Sequence, residues 1–388
     1  MTEKLYYIDS HMKAFTATVT SCEQNEDRFE VTLDRTAFFP EGGGQLGDSG
    51  VIGGVRVFDT HEKNGEIKHY VNRALETGKT YDCAIDWETR FRRMQNHSGE
   101  HIVSGLVHKK YGYNNVGFHM GSDVVTIDFD GELSWEQLLE IEREANRAVA
   151  ANYKVTATFP AEDVLKTLEY RSKLELTENV RIVEIENTDI CACCAPHVNS
   201  TAEVGTVRIL TAERRRRGGD GVRITMLCGL DAFEHEVIID ANNAEVSTLL
   251  SAKRTETAAA VRRLLSENEK LKARAAELSR ELARIKAEAI EPMEGNVCLF
   301  ENALDEPALR ALVNEAVKKC SGVAAVFSGS DEAGYRYIIG SRNIDLRKAS
   351  KSINSGISGR GGGSPEMIQG SCTACSLTIQ NFLTNFTV

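Results

Sequence analysis

Two pairs of potential metal ligands, His97 with His101 and Cys193 with His197, constrain this chain more than any other feature, because they lie far apart in sequence and act only together. Residues at i and i+4 of a helix project from one face, so His97-Ser98-Gly99-Glu100-His101 aims two imidazoles the same way. Cys193-Cys194-Ala195-Pro196-His197 repeats that spacing with a thiol and an imidazole, giving the mixed nitrogen and sulfur set that suits tetrahedral zinc. One histidine pair alone also arises as a cap or as buried, hydrogen-bonded side chains. Two pairs point to one zinc ion per chain. Cys193 is the expected thiolate, since Cys191 and Cys194 do not stand four residues before His197. The plainer reading of Glu100 is a helix carboxylate turned to solvent; the alternative is a base beside the metal.

Length and charge narrow the setting. A chain of 388 residues implies two or three domains. Its ten cysteines are scattered and no apolar leader precedes them, which indicates a reducing, cytoplasmic compartment rather than a secreted disulfide framework. No apolar run reaches the length of a membrane span, so no membrane partner is expected. The net charge of −11 argues against a protein that coats nucleic acid indiscriminately, and DNA is not an expected partner. Local RNA patches remain open: Arg90, Arg92 and Arg93 lead into the histidine segment, and Arg214, Arg215, Arg216 and Arg217 precede the turn Gly218-Gly219-Asp220-Gly221, with Arg223 just beyond. A solvated loop is the plain alternative for that arginine run.

Patterning gives four segments and an α+β fold. Residues 1–90 alternate apolar and polar positions, as in Phe29-Glu30-Val31-Thr32-Leu33, between Gly and Asn/Asp turns, and read as a β-barrel-like domain. Residues 91–240 read as an α/β core holding the zinc site. There Phe91, Met94, Ile102 and Leu106 share a helix face that ends at Gly112, and Ser134-Trp135-Glu136-Gln137 is a capping box. Strands are expected near Val124–Phe129, Val180–Ile185 and Val222–Leu227, placing the cysteine segment beside a sheet. Across 241–292 Leu264, Asn268, Leu271, Ala275, Leu278, Leu282 and Ile285 recur at steps of four and three, a heptad seam that predicts a long coiled-coil-like helix, about 65–70 Å if unbroken. Its partner is a second copy, hence a homodimer, or another part of this chain; Asn268 would set register. Residues 293–388 read as a separate α/β domain, in which Ser358-Gly359-Arg360-Gly361-Gly362-Gly363-Ser364 lacks the lysine of a phosphate-binding loop and reads as a flexible turn.

Taken in order, these motifs resemble one family. Thr36-Ala37-Phe38-Phe39-Pro40-Glu41-Gly42-Gly43-Gly44-Gln45 is similar to the glycine-rich signature of alanyl-tRNA editing domains, followed as in them by the HxxxH and CxxxH pairs and by Thr201-Ala202-Glu203-Val204-Gly205. Gly359-Arg360-Gly361-Gly362-Gly363 with Gln369-Gly370 resembles the C-terminal domain of alanyl-tRNA synthetases. The likeness spans essentially the whole chain, which begins with the β-domain and so leaves no room upstream for an aminoacylation domain. It looks like the long form of the AlaX family of free-standing editors. Two departures stand out: Cys194-Ala195-Pro196 replaces the Gly-Gly-Thr usual between cysteine and histidine, and Ser371 replaces a common glycine.

The resemblance implies hydrolysis of mischarged tRNA(Ala), with serine the first substrate and glycine the second. It implies that Thr36 reads the serine hydroxyl with Gln45 close by, that Glu100 is the candidate base, and that Arg360, Gly361, Gly362 and Gly363 join the arginine run in holding tRNA. Four protein ligands close a tetrahedral site, which favours positioning of substrate and water over a zinc-bound hydroxide. Rival readings are a threonyl-tRNA editing deacylase, a non-catalytic dimeric tRNA-binding zinc protein and, from the H-x-x-E-H spelling of 97–101, an inverted zinc peptidase.

Overall fold

A computed structural model describes residues 2–121, 123–172, 180–215 and 220–387. The chain divides into two compact units, Met1–Asn242 and Asn243–Val388. The fold class is α+β, with several separate sheets.

In the first unit six strands, Ala14–Asn25, Arg28–Leu33, Glu66–Val71, Val55–Lys63, Gly50–Ile52 and Thr80–Ile85, pair in that order, and the last pairs back with the first to close the ring. Alternate residues face inward, so Val19, Val31, Leu33, Ile52, Val57 and Val71 form its core. The hairpin between Val55–Lys63 and Glu66–Val71 turns at Asn64 and Gly65, both at positive φ as a tight two-residue turn requires.

The ring leads into helix Trp87–Tyr111, closed by Gly112 in the left-handed region. The helix packs on a four-stranded antiparallel sheet in the order Val207–Arg214, Val222–Cys228, Val125–Phe129, Asn115–Met120, and on helix Trp135–Ala151, whose Ser134 and Gln137 form the expected capping box. A three-stranded sheet of Val155–Thr158, Ile182–Ile185 and Asp189–Ala192 lies against its other side. Two glycines permit this sandwiching. A Cβ on Gly99 would stand 2.2 Å from Cys228 Sγ, and one on Gly105 would stand 2.7 Å from Thr188 O. The helix is thus pressed between strands on both sides, and residues 94–105 are buried.

The second unit holds a five-stranded sheet ordered Val297–Phe300, Val323–Ser330, Gly334–Ser341, Met367–Cys372, Gly359–Gly363, parallel at the first pair and antiparallel elsewhere. The glycine-rich stretch expected as a flexible turn is therefore an edge strand. Its composition has a packing cause: a Cβ on Gly361 would stand 2.4 Å from the Tyr337 hydroxyl, and one on the cross-strand Gly370 would stand 2.6 Å from it.

The heptad segment is not one unbroken helix. Helix Gly229–Leu249 ends, Ser251 adopts a φ of 47°, and a second helix runs over Thr257–Ala289. Asn243 clamps the break, its side chain donating to Arg254 O at 2.9 Å and accepting from the Thr257 hydroxyl at 3.0 Å. Such local side-chain bonds compete with helical ones, and no Gly or Pro announces the break. The second helix lays Leu282, Ala283 and Ala287 on Leu304, Ala308 and Leu312 of its own unit. Leu264, Leu271, Leu278 and Ile285 of the seam stay 52%, 70%, 47% and 51% exposed. No described helix is long and apolar enough to cross a membrane.

Candidate metal centre and its cavity

Three imidazoles and one thiol converge beneath the histidine helix. His97 and His101 sit one turn apart with ring centroids 5.4 Å from each other, and His197 places its ring 4.8 Å from the first and 4.6 Å from the second. Strand Asp189–Ala192 delivers Cys193 at its end, with Sγ 3.6 Å from His97 Nε2 and 3.4 Å from His197 Nε2. All four ligand atoms lie within 4.8 Å of one another. Metal–ligand bonds of about 2.0–2.3 Å at tetrahedral angles separate neighbouring ligand atoms by about 3.3–3.7 Å, so the set fits a tetrahedral ion.

The opposite edges of the rings support the same reading. His97 Nδ1–H donates to Gln45 Oε1 at 3.0 Å, His101 Nδ1–H donates to Asp189 Oδ2 at 3.1 Å, and His197 Nδ1 lies 3.0 Å from the Ser98 hydroxyl, which can either accept from it or donate to it. Arg171 grips the same Asp189 carboxylate at 2.7 and 2.8 Å. With every Nδ1 engaged, each Nε2 is turned toward the centre, the second sphere expected of histidine ligands. Burial alone would raise the Cys193 thiol, yet the neighbouring His97 and His197 with bonds from His101 and His197 hold it well below the usual thiol range. Burial pushes His197 down to about 3, so its imidazole is neutral. Burial also opposes the charge on Asp189, but the bonds from His101 and Arg171 bring it down to about 2. Burial opposes a charge on His101, yet Cys191 and the bonds to Asp189 and Cys193 hold its imidazole well above the usual histidine range, so binding a metal there must release its proton.

Of the three clustered cysteines only Cys193 belongs to this group of four. Cys191 is buried and groups instead with His101 and Asp189, while Cys194 is exposed and pushed up to about 11 by burial of its thiol and the adjacent Cys193. A cavity of about 580 Å³ opens onto the group, walled by Tyr7, Phe118 and Phe159 and by the backbone of Gly43 and Gly44.

Glu100 corrects the expectation of a solvent-facing carboxylate. It is 3% exposed and lines the cavity, because the close-packed helix leaves no solvent side there. Its Oε1 accepts from the Ser104 hydroxyl at 2.6 Å and from Asn115 Nδ2, and its Oε2 lies 3.8 Å from His101 Nε2. Gln45 is fully buried; with Oε1 committed to His97, its Nε2 has no partner among the described residues. Thr36 is also fully buried, accepts from Phe38 N–H and meets His69, and it is not among the residues lining the cavity.

The basic residues fare unevenly. Arg90 is 1% exposed, so it belongs to the interior rather than to an RNA surface. Arg92 is tied to Glu88, Asp231 and Glu234, and Arg93 donates to Gly47 O. Arg214 pairs with Asp220 and Arg223 with Asp128 across neighbouring strands; Arg216 and Arg217 lie outside the described residues. Arg360, Gly361, Gly362 and Gly363 lie on the edge strand of the second unit. Asp189, Arg171, Ser98 and the aromatic walls had no motif to reveal them.

Residues 180–225 match the family described as the threonyl and alanyl tRNA synthetase second additional domain. The alanyl-tRNA editing protein AlaX-L of Pyrococcus horikoshii is 31% identical over 95% of this chain and 94% of its own length. The chain belongs to the alanyl-tRNA editing protein family. The AlaX-M protein of Methanosarcina barkeri is 33% identical, with 58% of this chain matching its whole length. The alanine–tRNA ligase of Ignicoccus hospitalis is 29% identical over 93% of this chain and 40% of the ligase. Within this editing-protein chain the matched segment 180–225 contains Asp189, Cys193 and His197, and so carries half of the metal group.

Proposed function

We propose that this chain is a trans-acting hydrolase that releases serine first, and glycine second, from mischarged tRNA(Ala). The observation that carries the reading is the convergence of His97, His101, Cys193 and His197 into one group, the first three lining a walled cavity, in a chain that shares nearly its full length with AlaX-L. The donor set fits one zinc ion per chain, which when bound supplies a positive charge that polarises or orients the ester. The chain's own groups do the rest. Glu100, the carboxylate lining the cavity, takes a proton from the water that attacks the acyl carbon. Glu100 then returns that proton to the departing ribose oxygen as the carbon–oxygen ester bond breaks, leaving the free amino acid and the tRNA hydroxyl. Phe118 and Tyr7 exclude bulk water from the cavity.

Discrimination against alanine must come from recognition of what alanine lacks. A pocket that merely tolerates an added hydroxyl discriminates weakly, whereas one that hydrogen-bonds it rejects the bare analogue strongly. Thr36 and Gln45 are assigned that task. Incubation with Ser-, Gly- and Ala-charged tRNA(Ala), with and without chelator, tests substrate and metal together; retained alanine ester and loss of activity on chelation are expected. Hydrolysis of Ser-tRNA(Thr) in preference would instead favour the threonyl-type reading. Thr36→Val is expected to lower the seryl rate more than the glycyl rate, by about 1–2 kcal/mol for one lost hydrogen bond. Equal losses on both substrates would remove Thr36 from recognition.

For tRNA, the reading assigns contacts to Arg214, Arg215, Arg216, Arg217 and Arg223 and to the Arg360–Gly363 strand with exposed Arg342, Arg347, Lys348 and Lys351 nearby in sequence. The exposed leucines of helix Thr257–Ala289 support a homodimer built on its heptad seam. A cytoplasmic setting agrees with a role in translation. Ending the chain after Asn242 is expected to leave a folded, metal-binding deacylase, because the first unit contains all four ligands, and a shorter relative matches only 58% of this chain. The shortened protein should need more tRNA for half-maximal rate and sediment as a monomer. Unchanged tRNA dependence would dismiss the second unit as an RNA anchor, and unchanged mass would dismiss the seam as the dimer contact.

A further inference from the structure

His69 stands at an inward position of strand Glu66–Val71, between Ile67 and Val71, where the alternation calls for an apolar residue. It is fully buried, and its two ring nitrogens have different neighbours. Nδ1 lies 2.9 Å from Val31 O, and a carbonyl oxygen only accepts, so Nδ1 carries a proton. Burial pushes this imidazole down to about 4, against the opposing bond to Val31, so it holds one proton near neutral pH. Nε2 is then a bare acceptor. The Thr36 hydroxyl lies 2.8 Å from it and must donate. Phe38 N–H donates to the same hydroxyl oxygen at 3.1 Å, and the Phe38 ring meets the imidazole edge-on at 5.2 Å, walling it in.

We infer that His69 is a positioning residue that fixes the Thr36 hydroxyl as a hydrogen-bond acceptor only, and so makes it selective for an aminoacyl group that can donate. One lone pair of the Thr36 oxygen is left after the His69 and Phe38 bonds. Thr36 is fully buried here and does not line the cavity, so the proposal requires its segment to open toward the aminoacyl group; a serine side chain can then donate to that lone pair, whereas glycine and alanine side chains cannot. With the imidazole proton on Nε2 instead, the threonine hydrogen would be free to swing and the selectivity would be lost. The inference rests on the proposed reading of serine by Thr36.

The test uses the full-length protein. His69→Asn keeps a donor near the Nδ1 position for Val31 O but removes the acceptor at Nε2; His69→Gln can present an oxygen where Nε2 stood. His69→Asn is expected to lower the ratio of seryl to glycyl deacylation about five-fold, the scale of one neutral hydrogen bond, and His69→Gln to recover most of it. In a Thr36→Val background His69→Asn should not change the ratio further. A change there as large as in the parent, or equal losses on both substrates in the single variant, would overturn the inference. If Thr36→Val alone leaves the ratio intact, the Thr36 reading fails instead. Should His69→Asn not fold, nitrogen NMR of the ¹⁵N-histidine-labelled wild-type protein decides. A proton on His69 Nε2 rather than Nδ1 overturns the assignment, and an unprotonated Nε2 upholds it.

Discussion

Cys193→Ala is expected to lose bound zinc and more than about 100-fold in deacylation, because changing a second-sphere partner of a metal-bound histidine already costs about 10–100-fold. The thiolate is the one anion in the group of four, and its removal leaves three imidazoles, held by Gln45, Asp189 and Ser98, with no negative ligand to balance the ion's charge. Cys194→Ala is the internal control: its side chain shares the cavity but not the ligand set. Asp189→Asn should fall between the two, keeping an acceptor for His101 while losing the charge that Arg171 holds in place. Metal content and rate measured on the three variants settle the order. Full zinc and full rate in Cys193→Ala, with both lost in Cys194→Ala, would show that the wrong cysteine has been assigned.

The metal group was legible because its spacing is a local rule: i and i+4 on a helix share a face wherever the helix goes, and Cys193 was separable from its neighbours by counting to His197. Strands and caps were legible for the same reason, as at Ser134 and along Val222–Cys228. The failures occurred where a residue's setting is made by distant chain. Glu100 reads as a surface carboxylate until Cys228 and Thr188 close on Gly99 and Gly105 and leave residues 94–105 of that helix no wet face. Gly359–Gly363 reads as a turn until the side chain of Tyr337, two strands away in the same sheet, explains why a side chain is missing at Gly361. The break at Ser251 has no Gly or Pro to announce it, only Asn243 reaching across to Arg254 and Thr257. Arginines mislead most. Composition cannot tell Arg90, wholly enclosed, from Arg360 on an exposed edge.

Arg90→Met should be the most destabilising single substitution in the first unit, by about 3–5 kcal/mol, the cost of leaving one partner of a buried ion pair uncompensated. Arg90 and Asp48 are 1% and 2% exposed, and Arg90 Nε donates to Asp48 Oδ2 at 2.8 Å. The guanidinium also donates to Ala37 O at 2.6 Å and Ser10 O at 3.2 Å, while the same Asp48 oxygen accepts from Phe39 N–H at 2.7 Å. Arg90 therefore pins residues 37–48 to the helix that carries His97 and His101, and Gln45 reaches His97 from within that pinned segment. Methionine keeps the packing volume but leaves Asp48 buried with, among the described residues, only Arg93 at 3.9 Å as a counter-charge. Arg90→Met with Asp48→Leu should cost less than the sum of the two single changes, since the double variant has no unpaired charge, although Phe39 N–H still loses its acceptor. Urea midpoints of the four proteins give the coupling directly. Additive effects would show that the pair is not energetically joined, and a stable Arg90→Met protein with unaltered deacylation would show that the glycine-rich segment is held in place without it.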